Sequence, residues 1–274
     1  MQNTIQITMP VTDEALKDIV IAELSEIGFD GFEEEAGSLS AFCNEGVFNE
    51  DELKQLLGEH NLRYTNTIIA PQNWNELWES NFSPITVDDF VAVRASFHRP
   101  ITGVEHEIVI TPKMSFGTGH HATTYMMMQQ MRQLDFKGKD VFDFGTGTGI
   151  LAVLAKLLGA KNVTAIDIDE WSITNAQENF DNNNVAGIQL LQADAPAIID
   201  KTFDVILANI NKNVLLEYIH VLAKQLNTGG MLLLSGLLAE DEQDILLKTS
   251  ESFLTYISTA KRNQWICILL ALKI

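Results

Sequence analysis

The run Val141-Phe142-Asp143-Phe144-Gly145-Thr146-Gly147-Thr148-Gly149-Ile150-Leu151 constrains this chain more than any other segment. Apolar residues lead into an acid. Three glycines follow at alternate positions, and an apolar helical pattern then continues through Leu158. That order reads as a strand, a tight turn and a helix start. Glycine reaches positive φ and lets the backbone come close to a ligand. A helix N-terminus offers N–H groups without partners inside the helix. A ligand site is therefore expected at this turn.

From Val141 onward strands and helices alternate. Strands are expected at 140–144, 162–168, 188–192, 204–210 and 231–235, the last after a Gly229-Gly230 turn. Helices are expected at 150–158, 170–183, 214–226 and 240–251. Two closing strands, 254–260 and 265–272, are joined by Lys261-Arg262-Asn263. Repeated βα units imply an open parallel sheet with helices on both faces, here with an antiparallel pair at one edge.

The first seventy residues follow another rhythm. Ile5, Ile7 and Met9 alternate with polar residues and predict a strand at 4–9. Thr12 stands before Asp13 and Glu14 as the expected N-cap of a helix carrying Leu16, Ile19, Val20, Leu24 and Ile27. Segments 29–35 and 39–42 read as strands about a Gly37-Ser38 turn. A helix at 49–60 and a strand at 64–69 complete a βαββαβ order, that of a ferredoxin-like unit. A linker helix with Trp74, Leu77 and Trp78 is expected next. Beyond it, 90–95 and 107–111 read as two strands with Pro100 to Val104 turning between them.

Charge narrows the partners. The formal net charge is -19, and residues 1–60 hold 14 acids against 2 bases. Phosphate backbones need clustered Lys and Arg, so a nucleic-acid partner is not expected. A basic partner is, with the acidic N-terminal region as its docking module. No apolar run approaches the ~20 residues of a membrane span, and no secretory signal is visible at the N-terminus, so a cytoplasmic protein is expected. Cys43 and Cys267 fit no metal spacing and read as buried thiols.

Several acids give the ligand a chemistry. Gly145, Gly147 and Gly149 depart by one residue from the dinucleotide-binding G-x-G-x-x-G spacing. Asp143 just before them repels a pyrophosphate and suits a cationic group, held through ordered water. Asp167 ends the second strand, 22 residues after Gly145, where a carboxylate accepts hydrogen bonds from ribose hydroxyls. Asp169 reads as a helix cap. Asp194, after the third strand, stands where an adenine amino group belongs; a loop acid or helix cap is the other reading. As a set these features resemble the S-adenosylmethionine-dependent methyltransferase superfamily.

Three further segments narrow the resemblance. Phe116-Gly117-Thr118-Gly119-His120-His121-Ala122-Thr123-Thr124 resembles an F-G-T-G-x-H-x-T-T signature. Trp78 to Ile85 matches a W-x-x-x-F-x-P-I segment, and Ala208-Asn209-Ile210 an A-N-I segment. All three belong to the methyltransferases of ribosomal large-subunit protein 11 (L-eleven). The chain departs from that family at Ala122, where proline is usual, at His120, where threonine is frequent, and at the polar run Asn211-Lys212-Asn213.

The resemblance implies a fold class: α/β, a Rossmann-like doubly wound seven-stranded methyltransferase sheet with a small N-terminal α+β ferredoxin-like domain. The expected domains are a substrate-recognition domain at 1–70, a linker at 71–84 and an S-adenosyl-L-methionine-binding domain at 85–274. The implied activity is transfer of methyl groups to lysine side-chain and N-terminal amines of the ribosomal protein. The expected cofactor contacts are Asp143, Gly145, Gly147, Asp167, Asp194, Thr124 and Asn209, with Phe116, Gly117 and Thr118 from the loop closing the pocket. Asn209 is also the catalytic candidate, its side-chain carbonyl orienting an amine. Thr123 and Thr124 also read as helix caps. His121 reads either as a base or as a structural hydrogen-bonding residue. No metal is expected. Two alternatives stay open: a superfamily enzyme acting on another protein or a small metabolite, and a non-catalytic cofactor-binding module.

Overall fold

The computed structural model describes residues 3–35, 37–69, 82–113, 117–196 and 200–273. The chain divides into two compact units, Met1–Asn81 and Phe82–Ile274. The first unit contains β1 (Thr4–Pro10), α1 (Glu14–Glu26), β2 (Gly31–Glu35), β3 (Ser38–Asn44), α2 (Glu50–Glu59) and β4 (Thr65–Ile69). Its sheet has the order β2-β3-β1-β4, antiparallel throughout, as in a ferredoxin-like unit. The period-two pattern explains why it closes. Ile5, Ile7 and Met9 of β1 and Leu39, Ala41 and Cys43 of β3 are buried with Val20, Leu24, Leu53 and Leu57 of the helices. Each such aliphatic side chain contributes roughly 1.5–3 kcal/mol on burial.

Two local expectations are corrected here. Asp13, not Thr12, caps α1, accepting from the N–H groups of Ala15 at 2.9 Å and Leu16 at 3.4 Å. Its carboxylate also opposes the positive end of the helix. Ser38 belongs to β3, paired with Glu35 and Pro10, and is not a turn residue. The expected linker helix falls mostly on residues outside those described, including Trp74, Leu77 and Trp78, while 82–84 are not helical.

The second unit opens with a three-stranded sheet in the order β5-β6-β7, from Ile85–Val87, Val91–Ala95 and His106–Ile110. Strand β5 went unforeseen. Moreover β6 and β7 run parallel, so residues 96–105 form a crossover and not a simple turn. Glu107 holds that crossover in place. It accepts from the Arg94 guanidinium at 3.0 Å and from the Ile101 N–H at 2.6 Å.

Helix α3 (Ala122–Met131) leads into the main sheet. Its strands are β8 (Asp140–Phe144), β9 (Asn162–Asp167), β10 (Ile188–Gln192), β11 (Phe203–Asn209), β12 (Leu226–Leu238), β13 (Leu254–Arg262) and β14 (Trp265–Leu272). The helices between them are α4 (Ile150–Leu157), α5 (Glu170–Asn182), α6 (Lys212–Lys224) and α7 (Glu242–Ser250). The seven strands stand in the order β10-β9-β8-β11-β12-β14-β13. All neighbours are parallel except β14, which is antiparallel to both β12 and β13. This is the Rossmann-like sheet that the βα rhythm implies.

Alternation along the strands builds a core on each face. Val141, Val205, Leu207 and Leu233 pack on one side with α3 and α4. Phe142, Phe144, Ile206, Ala208, Leu232 and Leu234 pack on the other with α6. The Gly229-Gly230 turn is a bulge inside β12. The register passes from Phe203 opposite Leu226 to Val205 opposite Met231, and Gly229 has φ +75°. Among the described residues no helix is long and apolar enough to cross a membrane.

Candidate active site

The strand order reverses beside β8: the chain steps to β9 and β10 on one side, then returns to β11 on the other. Such a switch point leaves a crevice at the carboxyl ends of the strands. A cavity of about 580 Å³ lies there. It is lined by Phe144, Gly145 and Gly147 after β8, and by Asp167 to Asp169 and Ser172 after β9. Ala193 and Asp194 follow β10, and Asn209 to Asn211 and Val214 follow β11. Gly236 of β12, Trp265 of β14, and His121 and Thr123 complete the wall.

The glycine turn is built by left-handed backbone. Gly145, Gly147 and Gly149 have φ of +74°, +54° and +77°, a region that costs other residues steric strain. The N–H groups of Gly145 and Thr146 both donate to the Ile166 carbonyl at 2.9 Å, which anchors the turn to β9. A Cβ on Gly145 would overlap Cγ2 of Ile210, and one on Gly236 would overlap the Ile210 backbone carbonyl. Ile210 thus wedges between two glycines on either side of β11. Gly236 is not among the expected contacts, although a lone glycine within Leu232 to Leu238 signals close backbone approach.

Asp167 is held by the turn it faces. One carboxylate oxygen accepts from the Gly147 N–H at 2.8 Å, the other from the Asp169 N–H at 3.0 Å. A carboxylate has about four acceptor sites, so two remain for hydroxyl donors from the cavity. Asp169 caps α5, as expected. Asp194 lines the same wall.

Asp143 lies behind the turn. It is 1% exposed and accepts from the Thr146 hydroxyl at 2.6 Å. Burial pushes its carboxyl up to about 7, and the Asp167 charge adds to this, while the Thr146 hydrogen bond pulls the other way.

Asn209 ends β11 on the opposite wall. Its Nδ2 donates to Thr124 Oγ1 at 3.2 Å. Its Oδ1 is buried and has no hydrogen-bond partner. A buried acceptor left unpaired costs ~1–3 kcal/mol, so this oxygen marks a place for a donor. Thr124 is fully buried and meets the site through Asn209, whereas Thr123 lines the cavity. Neither caps α3; His121 does, its Nδ1 accepting from the Thr123 N–H at 3.4 Å and lying 2.7 Å from Thr123 Oγ1. The His121 ring also meets Trp265 edge-on, centroids 4.5 Å apart. The structural reading of His121 therefore has concrete partners. Trp265 went unnoticed because it comes from an antiparallel strand remote from every motif.

Of the loop residues, Gly117 accepts at its carbonyl from the Thr148 hydroxyl at 2.7 Å. Thr118 Oγ1 lies 3.2 Å from His120 Nδ1. Neither lines the cavity. Phe116 lies outside the described residues. Among those described, no cluster of His, Cys, Asp and Glu has a metal-holding arrangement.

The family model for ribosomal protein L11 methyltransferase (PrmA) matches residues 12–273. The chain belongs to this family. The ribosomal protein L11 methyltransferase of Porphyromonas gingivalis is 42% identical over 263 residues, covering 93% of this chain and 90% of that one. Its counterpart from Bacteroides fragilis is 37% identical over 268 residues, 95% of each chain. Among solved structures, the ribosomal protein L11 methylase of Lactobacillus delbrueckii subsp. bulgaricus superposes with a TM-score of 0.66. It is 31% identical and covers 70% of this chain and 100% of its own. The resemblance drawn from the three sequence segments thus holds at the level of the family.

Proposed function

We propose that this protein is an S-adenosyl-L-methionine-dependent methyltransferase that modifies lysine side-chain and N-terminal amines of ribosomal protein L11. The observation that carries the reading is Asn209: a buried amide oxygen without a partner, on a residue of the cavity wall opposite Asp167.

The residues present fit the cofactor. The free acceptor sites of Asp167 suit two ribose hydroxyls, and Asp194 suits an adenine amino group. The left-handed turn at Gly145 and Gly147 lets the ligand lie directly on backbone. The start of α3, with Thr123 on the cavity wall, suits the amino-acid carboxylate, and Thr124, the expected contact, supports it from behind through Asn209. S-adenosylmethionine supplies a methyl group already activated by its positive sulfur. The chain's task is then alignment, which contributes more here than acid–base chemistry.

Asn209 Oδ1 accepts an N–H of the incoming amine and points its lone pair along the line of transfer. The amine must be neutral. A lysine at ~10.4 gives up its proton less readily than an α-amino group at ~7.7–8.0, and desolvation in the cavity helps both. Trp265 and His121 form the apolar wall on the acceptor side. The N-terminal unit is the expected substrate-recognition domain: Glu33 to Glu35 on β2 and Glu50 to Glu52 at the start of α2 are exposed carboxylates for a basic protein. The cytoplasm is the compartment this reading requires.

Tritium transfer from labelled cofactor into purified L11, resolved by mass, tests the reading. Label at lysine and N-terminal amines is the expected result. Label confined to other proteins or to small metabolites would overturn it.

A further inference from the structure

Behind the glycine turn lies a hydrogen-bond node that touches no ligand-facing surface. Thr148 and Asn179 are both fully buried, and neither lines the cavity. The Thr148 hydroxyl donates to the Gly117 carbonyl at 2.7 Å. The Thr148 carbonyl accepts from Asn179 Nδ2 at 2.8 Å. Asn179 Oδ1 in turn accepts from the Thr111 N–H at 2.7 Å. Thr111 and Gly117 are therefore both tied to one pair of side chains. Gly147, next to Thr148, donates to Asp167 at 2.8 Å. One node thus joins the glycine turn, the ribose-facing acid and the loop before α3.

The spacing on α5 makes this possible. Asn175, Asn179 and Asn183 recur every four residues and share one helix face. Asn183 takes both the N–H and the carbonyl of Val109, at 2.8 and 2.6 Å. Asn175 donates to the Thr111 carbonyl at 3.0 Å. The side-chain amides satisfy backbone groups on the outer edge of β7. Stability alone accounts for Asn183, which serves only β7 and α5 itself, while Asn175 is paired through Nδ2 alone and leaves its buried Oδ1 without a partner. Asn179 differs, because its second contact goes to the glycine turn.

We infer that Thr148 and Asn179 are positioning residues for cofactor binding: they fix Gly147 and Gly117 relative to Asp167. The inference rests on the cofactor reading above. Calorimetric titration of the full chain with S-adenosylmethionine and S-adenosylhomocysteine tests both and separates them. T148V, nearly isosteric, removes the hydroxyl; it raises Kd about five- to tenfold, the size of one buried hydrogen bond. T148S restores affinity to within about twofold of wild type. N179D keeps the acceptor for Thr111 and, ionised, sets a carboxylate oxygen against the Thr148 carbonyl, so it weakens binding by at least as much. The double variant binds no worse than about twofold below the weaker single variant, because both act through one turn. The amine KM at saturating cofactor stays unchanged. Wild-type affinity in T148V and N179D, a T148S that fails to restore binding, or amine KM and cofactor Kd worsening in proportion would each overturn the inference while leaving the cofactor reading intact. Failure of the wild-type chain to bind either compound would overturn the cofactor reading itself.

Discussion

The two halves of the cavity are built differently. The Asp167 half comes from consecutive βα units, residues 143–172, with Asp194 from the next strand. Its parts are linked through backbone N–H groups: Gly145 and Thr146 donate to the Ile166 carbonyl, Gly147 and Asp169 to the Asp167 carboxylate. The Asn209 half draws on α3, β11, β12 and β14, remote segments brought together by the sheet. Its polar and aromatic contacts run between side chains: Asn209 to Thr124 and His121 to Trp265. A rigid, locally encoded half suits an invariant ligand. A half assembled from scattered side chains suits alignment of a varied acceptor. If that division is correct, variants on the two walls separate into different kinetic classes.

The largest separation is expected from Asn209→Ala. Loss of the aligning carbonyl lowers kcat by about 10²–10³-fold, the scale seen when one preorganised transition-state contact is removed. Cofactor Kd should change by no more than about five- to tenfold, since at most one hydrogen bond is at stake. Single-turnover kinetics and calorimetry on the same sample decide it. An equal loss in Kd and kcat would merge the two halves.

Asp167→Ala is the converse. Two charge-assisted hydrogen bonds to the ribose are lost, for a Kd increase of about 10²-fold or more. At saturating cofactor kcat is expected to stay within severalfold of wild type, with amine KM unaffected.

This division also explains what the sequence makes legible. The strand at 140–144, the glycine turn and Asp167 can be read because strand, turn and helix follow one another, and each apolar run has its own punctuation. The three-stranded sheet resists reading. Its β5 is only 3 residues long, and β6 and β7 pair in parallel with an ion pair between Arg94 and Glu107 joining the two strands, a pairing that no local pattern announces. Asn209 is legible through its A-N-I segment, but Trp265 and Gly236 reach the site through pairing of β12 with β14, which no local pattern encodes. The cap of α3 misleads for another reason: His121, Thr123 and Thr124 all carry side chains able to cap, and the backbone places His121 at the boundary.

Trp265→Ala gives a smaller effect confined to the acceptor half. An aromatic contact of about 0.5–1.5 kcal/mol is removed, which corresponds to amine KM rising by roughly 2- to 12-fold. Cofactor Kd stays as in wild type. Weakened cofactor binding in this variant would show that Trp265 belongs to the other wall.

The smallest effect is expected behind the turn, at Asp143. Its folded carboxyl titrates near 7 against an ordinary value of 3.8, because burial and the Asp167 charge both favour the neutral form. The folded state therefore holds a proton that the unfolded state has released across that window. This stabilising contribution is present below the unfolded value and is lost as pH rises through about 7. A sulfonium near the turn favours the ionised carboxylate. Affinity for S-adenosylmethionine relative to neutral S-adenosylhomocysteine should thus rise as pH passes upward through about 7, with proton release on binding. The change in that ratio is expected to be about three- to tenfold, a screened interaction of one charge pair. Asp143→Asn flattens the ratio and removes the stability loss that accumulates as pH rises from about 4 to about 7. Calorimetry in buffers of differing ionisation enthalpy measures the proton directly. A ratio independent of pH in the wild-type chain would mean that Asp143 shapes the turn through Thr146 alone and senses no charge in the cavity.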